Sequence, residues 1–174
     1  MKHLSLRPPD ALEYFAALVA EDDGFALLEA AICVAQDDHP RLDPQSVLAE
    51  IDRLAGKLRA RLPADAPAMQ RLRALNHYFF EELAFSGNVN NYYDRRNSYI
   101  NDVLARRRGI PITLALVYCE LAQQLGLTAQ GVQVLAENLD GDLRTHAREH
   151  VVDAVRDGLT NLQRSRLSRI AHVL

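Results

Sequence analysis

Pro111 opens and Gly126 closes a segment, Ile112 to Leu125, whose apolar residues fall on nearly every face of a helix. A helix apolar all round has no side to give to water, so the rest of the chain must wrap it. This segment is expected to be the central buried helix. The chain has enough material to cover it: 174 residues, 48% apolar and 25% charged, suit one domain with a sizeable core.

The covering elements are legible upstream. Pro8-Pro9-Asp10 signals a helix start, and Leu12, Phe15, Ala16 and Val19 recur at the spacing of one helix face, to about Asp22. Phe25, Leu28, Ala31, Ile32 and Ala35 predict a second helix, stopped at His39-Pro40 because proline denies the next turn its donor. Asp43-Pro44 pairs a capping carboxylate with a proline at the first helical position. Val47, Leu48, Ile51, Leu54, Leu58 and Leu62 then form a third stripe ending before Pro63. Asp65-Ala66-Pro67 repeats the cap signal, and Met69, Leu72, Leu75, Phe79 and Leu83 carry a fourth helix.

From Phe85 to Asn97 the helical period is lost, and turn formers mixed with Tyr92 and Tyr93 predict a structured loop. Asn97-Ser98 is expected to cap the next helix, with Ile100, Val103 and Leu104 inward. Arg106-Arg107-Arg108-Gly109 is its expected end, combining cations at the carbonyl pole with a glycine for the left-handed position. After Gly126 the best strand candidate is Gly131 to Leu135; a polar turn, 137–142, then leads to a helical tail breaking near Gly158. The expectation is therefore a mainly α chain (α+β with a residual small sheet), residues 1–174 forming a single domain. Its subregions are a helical bundle (1–84), a core (85–135) and a helical tail (136–174).

Charge narrows the partner classes. The net charge is -3, with 12 acids against 7 bases in residues 1–66 and 6 arginines against 3 acids in residues 143–174. An acidic body gives no global attraction to nucleic acid or anionic membranes, so nucleic acid is an unlikely partner class and would need a local patch. Cys33 and Cys119 both fall within apolar helical patterns, without the short spacing of a disulfide framework or zinc site. The start lacks an apolar leader segment, and no window reaches the length of a membrane span. A cytoplasmic protein of bacterial type, without membrane association, metal or cofactor, is expected.

Several short motifs occur in one order between Leu75 and Val132: Phe85-x-Gly87-Asn88, Tyr92-Tyr93-Asp94, Asn97-Ser98-Tyr99, Asn101-Asp102-Val103-Leu104, Arg107-Arg108-Gly109-Ile110-Pro111-Ile112 and Leu125-Gly126-Leu127. Together they resemble the signature of the SirB regulator family, a branch of the transglutaminase-like superfamily. The resemblance implies a transglutaminase-like core built on helix 111–125, here truncated or divergent. Such a core places a cysteine at the start of the central helix, with a histidine and an aspartate on neighbouring strands. In that arrangement the helix N-terminus and an imidazolium stabilise the thiolate, and the acid orients the imidazole.

At the position where the resemblance implies the nucleophile, this chain has Pro111. Cys119 lies two turns further on, beyond the strong end of the helix dipole, and reads as a core residue. SirB relatives follow the Gly-Val strand with a proline-glycine-histidine-phenylalanine stretch, whereas Gln133 to Glu137 stand here. His146, His150 and Asp153 share a helix face and are weak substitutes as catalytic or metal-binding groups; a solvated face is the plainer reading. Departure from the family after Val132 depletes the sheet that should cover the central helix. An exposed apolar surface is then expected, to be met by the tail, a partner or a second copy.

Three functional readings follow. The favoured one is a non-catalytic regulatory or protein-interaction domain, a pseudoenzyme on a transglutaminase-like scaffold, binding a protein through the loop Asn88, Tyr92, Tyr93, Asp94, Arg95, Arg96 and Asn97. The bland account of that loop has Asn88, Asp94 and Asn97 satisfying backbone groups while the tyrosines plug the core, with one arginine paired to Asp94 or Asp102. The second reading is a cryptic cysteine hydrolase or acyltransferase using Cys119 with His77, His146 or His150. The third is nucleic-acid binding through Arg106, Arg107, Arg108 and the arginine tail.

Overall fold

In the computed structural model, residues 9–20 and 26–127 are described. The candidate strand 131–135 and the tail with His146, His150 and Asp153 lie outside them. Among the described residues there are six α-helices, all but the first contributing to one core: α1 (Ala11–Ala20), α2 (Leu27–Asp38), α3 (Pro44–Arg59), α4 (Ala68–Asn76), α5 (Ile100–Arg106) and α6 (Pro111–Gln124). The architecture is mainly α with a small sheet, as the periodicity predicts.

Local chemistry sets most of the boundaries. Asp10 and Glu13 cap α1 reciprocally, each carboxylate accepting from the other's backbone N–H, at 2.8 and 3.1 Å. Asp43 accepts from the Gln45 N–H at 3.1 Å with Pro44 at the first position of α3. Gly126, at φ +72°, closes α6: its N–H reaches the Gln123 carbonyl at 2.9 Å and the Leu127 N–H reaches Ala122 at 3.0 Å. That pair of bonds is the Schellman arrangement, which requires a left-handed residue at the glycine.

α6 packs against α2, α3, α4 and α5 and against both strands. Leu114, Val117 and Leu121 are completely buried, and Ala115, Tyr118 and Ala122 nearly so, while Ile112 at the first turn is 71% exposed. The central position of the helix is thus as expected, with one apolar residue turned outward.

Four local expectations are corrected. Asp65 does not cap α4; Pro67 takes the cap position without a side-chain bond. The fourth helix does not run evenly to Leu83 either: from His77 to Glu82 it widens to π geometry, with the Leu83 N–H bonded to Tyr78 at 2.8 Å. The widened turn seats Phe79 in a ring cluster, stacked on Phe85 at 4.4 Å and edge-on to Tyr118 at 5.3 Å. Asn97 and Ser98 do not cap α5, since Tyr99 holds that position and the Asn97 side chain is committed to the loop before it. Finally, the left-handed residue after α5 is Arg107, at φ 57°, not Gly109.

Gly109 is needed for a different reason. It lies in β2 (Arg108–Gly109), paired in parallel with β1 (Ser86–Gly87) in the register Ser86 to Arg108 and Gly87 to Gly109. A Cβ there would stand 3.0 Å from Val103 Cγ2 and 3.3 Å from the Asn97 carbonyl. Val103 is fully buried and cannot retreat. Gly109→Ala is therefore expected to cost about 1–3 kcal/mol through overpacking, read as a lower urea midpoint at an unchanged slope. A neutral substitution would show that β2 does not need this close approach.

Candidate functional site

The 88–97 loop is built on Asn97, which is completely buried. Its Nδ2 donates to the carbonyls of Asn91 and Tyr92 at 2.8 and 3.1 Å, and its Oδ1 accepts from Asn88 Nδ2 at 3.0 Å. Its own carbonyl accepts from the Ile110 N–H at 3.1 Å, fastening the loop to the entrance of α6. Every polar group of a buried asparagine must find a partner, and here one side chain fixes both ends of the loop.

Asp94 braces the outer side. It caps the short 3₁₀ turn Arg95–Asn97 by accepting from the Arg96 N–H at 3.0 Å. The Arg96 guanidinium grips the same carboxylate through Nε at 3.0 Å and Nη2 at 2.8 Å, and Arg106 adds a contact at 3.2 Å. The Arg96 guanidinium first, then its backbone N–H and the Arg106 charge, hold the Asp94 carboxyl below the usual carboxylate range against the opposing effect of burial.

The tyrosines do not plug the core. Tyr93 is 93% exposed and Tyr92 56%, with their rings edge-on at 5.5 Å, and Val89 on the same loop is also exposed. The Asn97 side chain takes both carbonyls of the Asn91-Tyr92 step, and the buried ring before the loop is Phe85. The loop is a braced platform with aromatic side chains at its tip.

The arginine triplet is dispersed. Arg106 is bound to Asp94; Arg107 reaches Glu50 of α3 at 3.2 Å and lies over the Phe85 ring at 4.8 Å; Arg108 donates to the Ala84 and Arg107 carbonyls. Arg95 pairs with Asp38 at 2.8 Å and also donates to Tyr99 Oη. Asp102 is met not by an arginine but by His39, whose Nε2 lies 3.0 Å from its carboxylate and whose ring stands edge-on to Tyr99. Sequence reasoning missed His39: its partner is 63 positions away, and no local pattern links the two. A shallow cavity of about 410 Å³ lies beside this pair, lined by His39, Pro40, Arg41, Leu42 and Asn101.

Pro111 serves as the first residue of α6. Cys119 is partly buried, and burial, then the neighbouring Glu120 charge, pushes its thiol up to about 11. Among the described residues no histidine bonds to it: His39 is held by Asp102 and His77 by Glu81 at 3.0 Å. With such a thiol only about one molecule in a thousand carries thiolate at pH 8. Native protein is thus expected to react slowly with a thiol reagent, at a rate rising about tenfold per pH unit until the pH approaches 11, while denatured chain exposes both Cys33 and Cys119 at once. Rapid stoichiometric labelling of Cys119 near pH 7 would contradict this.

Comparison with known proteins agrees with the motif pattern. The chain is 36% identical to a UPF0162 protein of Xylella fastidiosa over 112 residues, covering 64% of this chain and 40% of that protein. It is 30% identical to a UPF0162 protein of Vibrio cholerae over 110 residues, 63% of this chain and 41% of the relative. The chain thus spans about two fifths of the length of these curated relatives. A stretch of 63 residues, 36% of this chain, is 43% identical to 10% of human F-box only protein 21. No solved structure matches. The model of the transglutaminase-like superfamily matches residues 45–171, continuing past Val132 where the motifs end, and over that span, well above half its length, the chain belongs to the transglutaminase-like superfamily.

Proposed function

We propose that this chain is a non-catalytic interaction domain of the SirB type, with a regulatory role, that engages a protein partner through the Tyr92-Tyr93 tip. The observation that carries this reading is the pairing of a fully buried anchor, Asn97, with an almost fully exposed aromatic, Tyr93. Ordering a loop costs conformational entropy, so a loop fixed in advance binds with less of that cost left to meet. Exposed tyrosine beside arginine is the composition that anchors protein interfaces.

Two further observations support it. By the resemblance, Pro111 stands where the superfamily's nucleophile would be, and burial pushes the Cys119 thiol up. Parts of this chain resemble a minor share of proteins of very different length, which suits a portable module better than a complete reaction centre. The unpaired cysteines fit a reducing, cytoplasmic setting. Nucleic-acid binding is less well supported, because Arg106 and Arg107 are committed to Asp94 and Glu50.

The test is a photo-cross-linker placed at position 93 of the full chain in its native host. A discrete protein adduct is expected from position 93 and none from exposed position 65, in the turn before α4. No adduct from position 93, or thioester turnover lost in Cys119→Ala, would overturn the reading.

A further inference from the structure

Resting on that reading, we infer that the partner presents an acidic segment carrying an apolar side chain, its carboxylate received by Arg96 and its apolar group by the Tyr92-Tyr93 corner. Beside the tip the Asp94 carboxylate is shared by two guanidiniums, those of Arg96 and Arg106, and Asp102 adds a more distant charge to Arg96. What is left over is guanidinium donors rather than net charge. Arg95 is paired with Asp38.

Arg96 is placed to offer such a donor. Its Nε and Nη2 are held by Asp94, its Nη1 makes no hydrogen bond among the described residues, and its side chain is 60% exposed. A guanidinium already fixed on one side loses little freedom when a second carboxylate arrives, and a charge-assisted bond to it is stronger than a neutral one. Tyr93 is three positions away, at 93% exposure, and edge-on to Tyr92, so the two rings form a corner rather than a flat face. A corner of this kind suits an aliphatic or aromatic side chain.

The same chemistry argues against a nucleic acid. A duplex is held by neutralising many phosphates, whereas this tip offers one guanidinium with a free edge on a body of net charge -3. One or two carboxylates on a peptide match the supply.

The full chain is titrated, by fluorescence anisotropy at low salt, into a labelled decapeptide alternating glutamate with leucine, its glutamine counterpart, and a thymidine oligonucleotide. The glutamate peptide is expected to bind about tenfold tighter than the glutamine peptide. Tyr93→Ala and Arg96→Gln should each remove most of that preference, Arg96→Lys should retain part of it, and Lys57→Ala, on the α3 surface, should leave it unchanged. Melting curves accompany each variant, so that a collapse of the loop in Arg96→Gln is separated from loss of charge by the Arg96→Lys and Tyr93→Ala results. Equal binding of both peptides, no binding of either, tighter binding of the oligonucleotide, or self-association that depends on Tyr93 would each overturn the inference. If position 93 still cross-links to a partner while the two peptides bind alike, only the acidic chemistry falls; if cross-linking also fails, the interaction reading falls with it.

Discussion

Asn97→Ala is expected to destabilise the protein by about 2–4 kcal/mol and to free the 88–97 loop. The substitution deletes both donations to Asn91 and Tyr92 and the acceptor for Asn88, at a residue with no solvent exposure. Leaving a buried polar group without a partner costs about 1–3 kcal/mol, and an alanine at this site cannot recover any of the three bonds. The deleted side chain also leaves a void at a position with no solvent exposure. Two measurements report on it. The urea midpoint should fall, and amide exchange of residues 88–97 should accelerate more than that of α3. Global loss with no local acceleration would mean that Asn97 supports the core generally rather than the loop.

Phe79→Ala should cost about 3–5 kcal/mol, the range for deleting a fully buried aromatic. Its ring is stacked on Phe85 and edge-on to Phe80 and Tyr118, and Tyr118 Oη donates to Asn76 at 2.6 Å. The cluster joins α4, the π turn, the start of β1 and the centre of α6, so a cavity there loosens all four. Because Phe85 immediately precedes β1, the loss should also speed exchange of the Ser86 N–H, which bonds to the Arg107 carbonyl at 3.1 Å. Phe79→Leu keeps most of the volume and should recover more than half of the deficit; an equal loss in both variants would point to ring geometry rather than volume.

The elements legible in the sequence were those specified within a few residues. Asp43-Pro44 and Gly126 carry their reasons locally, as a cap, a fixed φ and a left-handed position, and the structure uses them so. The buried stripe of α6 follows from periodicity alone. What the sequence hid depends on distant neighbours. Strands of two residues have no period to detect, and β1 and β2 exist because residue 86 meets residue 108. The glycine at 109 marks a close approach to Val103 rather than a helix stop, and Arg107 accepts the left-handed position while its guanidinium is occupied by Glu50 and Phe85.

The candidate site divides in the same way. Its anchoring residues, Asn88, Asp94 and Asn97, are of the type that turns require; Asp94 and Asn97 bond backbone groups as the bland expectation has it, whereas Asn88 bonds the Asn97 side chain. The direction of the tyrosines could not be read, because a phenol ring suits either a core with a polar outlet or an exposed tip. Their exposure is what turns a structural loop into a candidate surface. The pairing of His39 with Asp102 was equally hidden, since neither residue's local pattern refers to the other.

The most direct measurement of the central claim is cross-linking from position 92 in a chain carrying Tyr93→Ala, with thermal melting recorded in parallel. Tyr93 is 93% exposed and contributes little to the core, so melting should be unchanged while the partner adduct is lost. An undiminished adduct in a fully folded Tyr93→Ala chain would contradict the account.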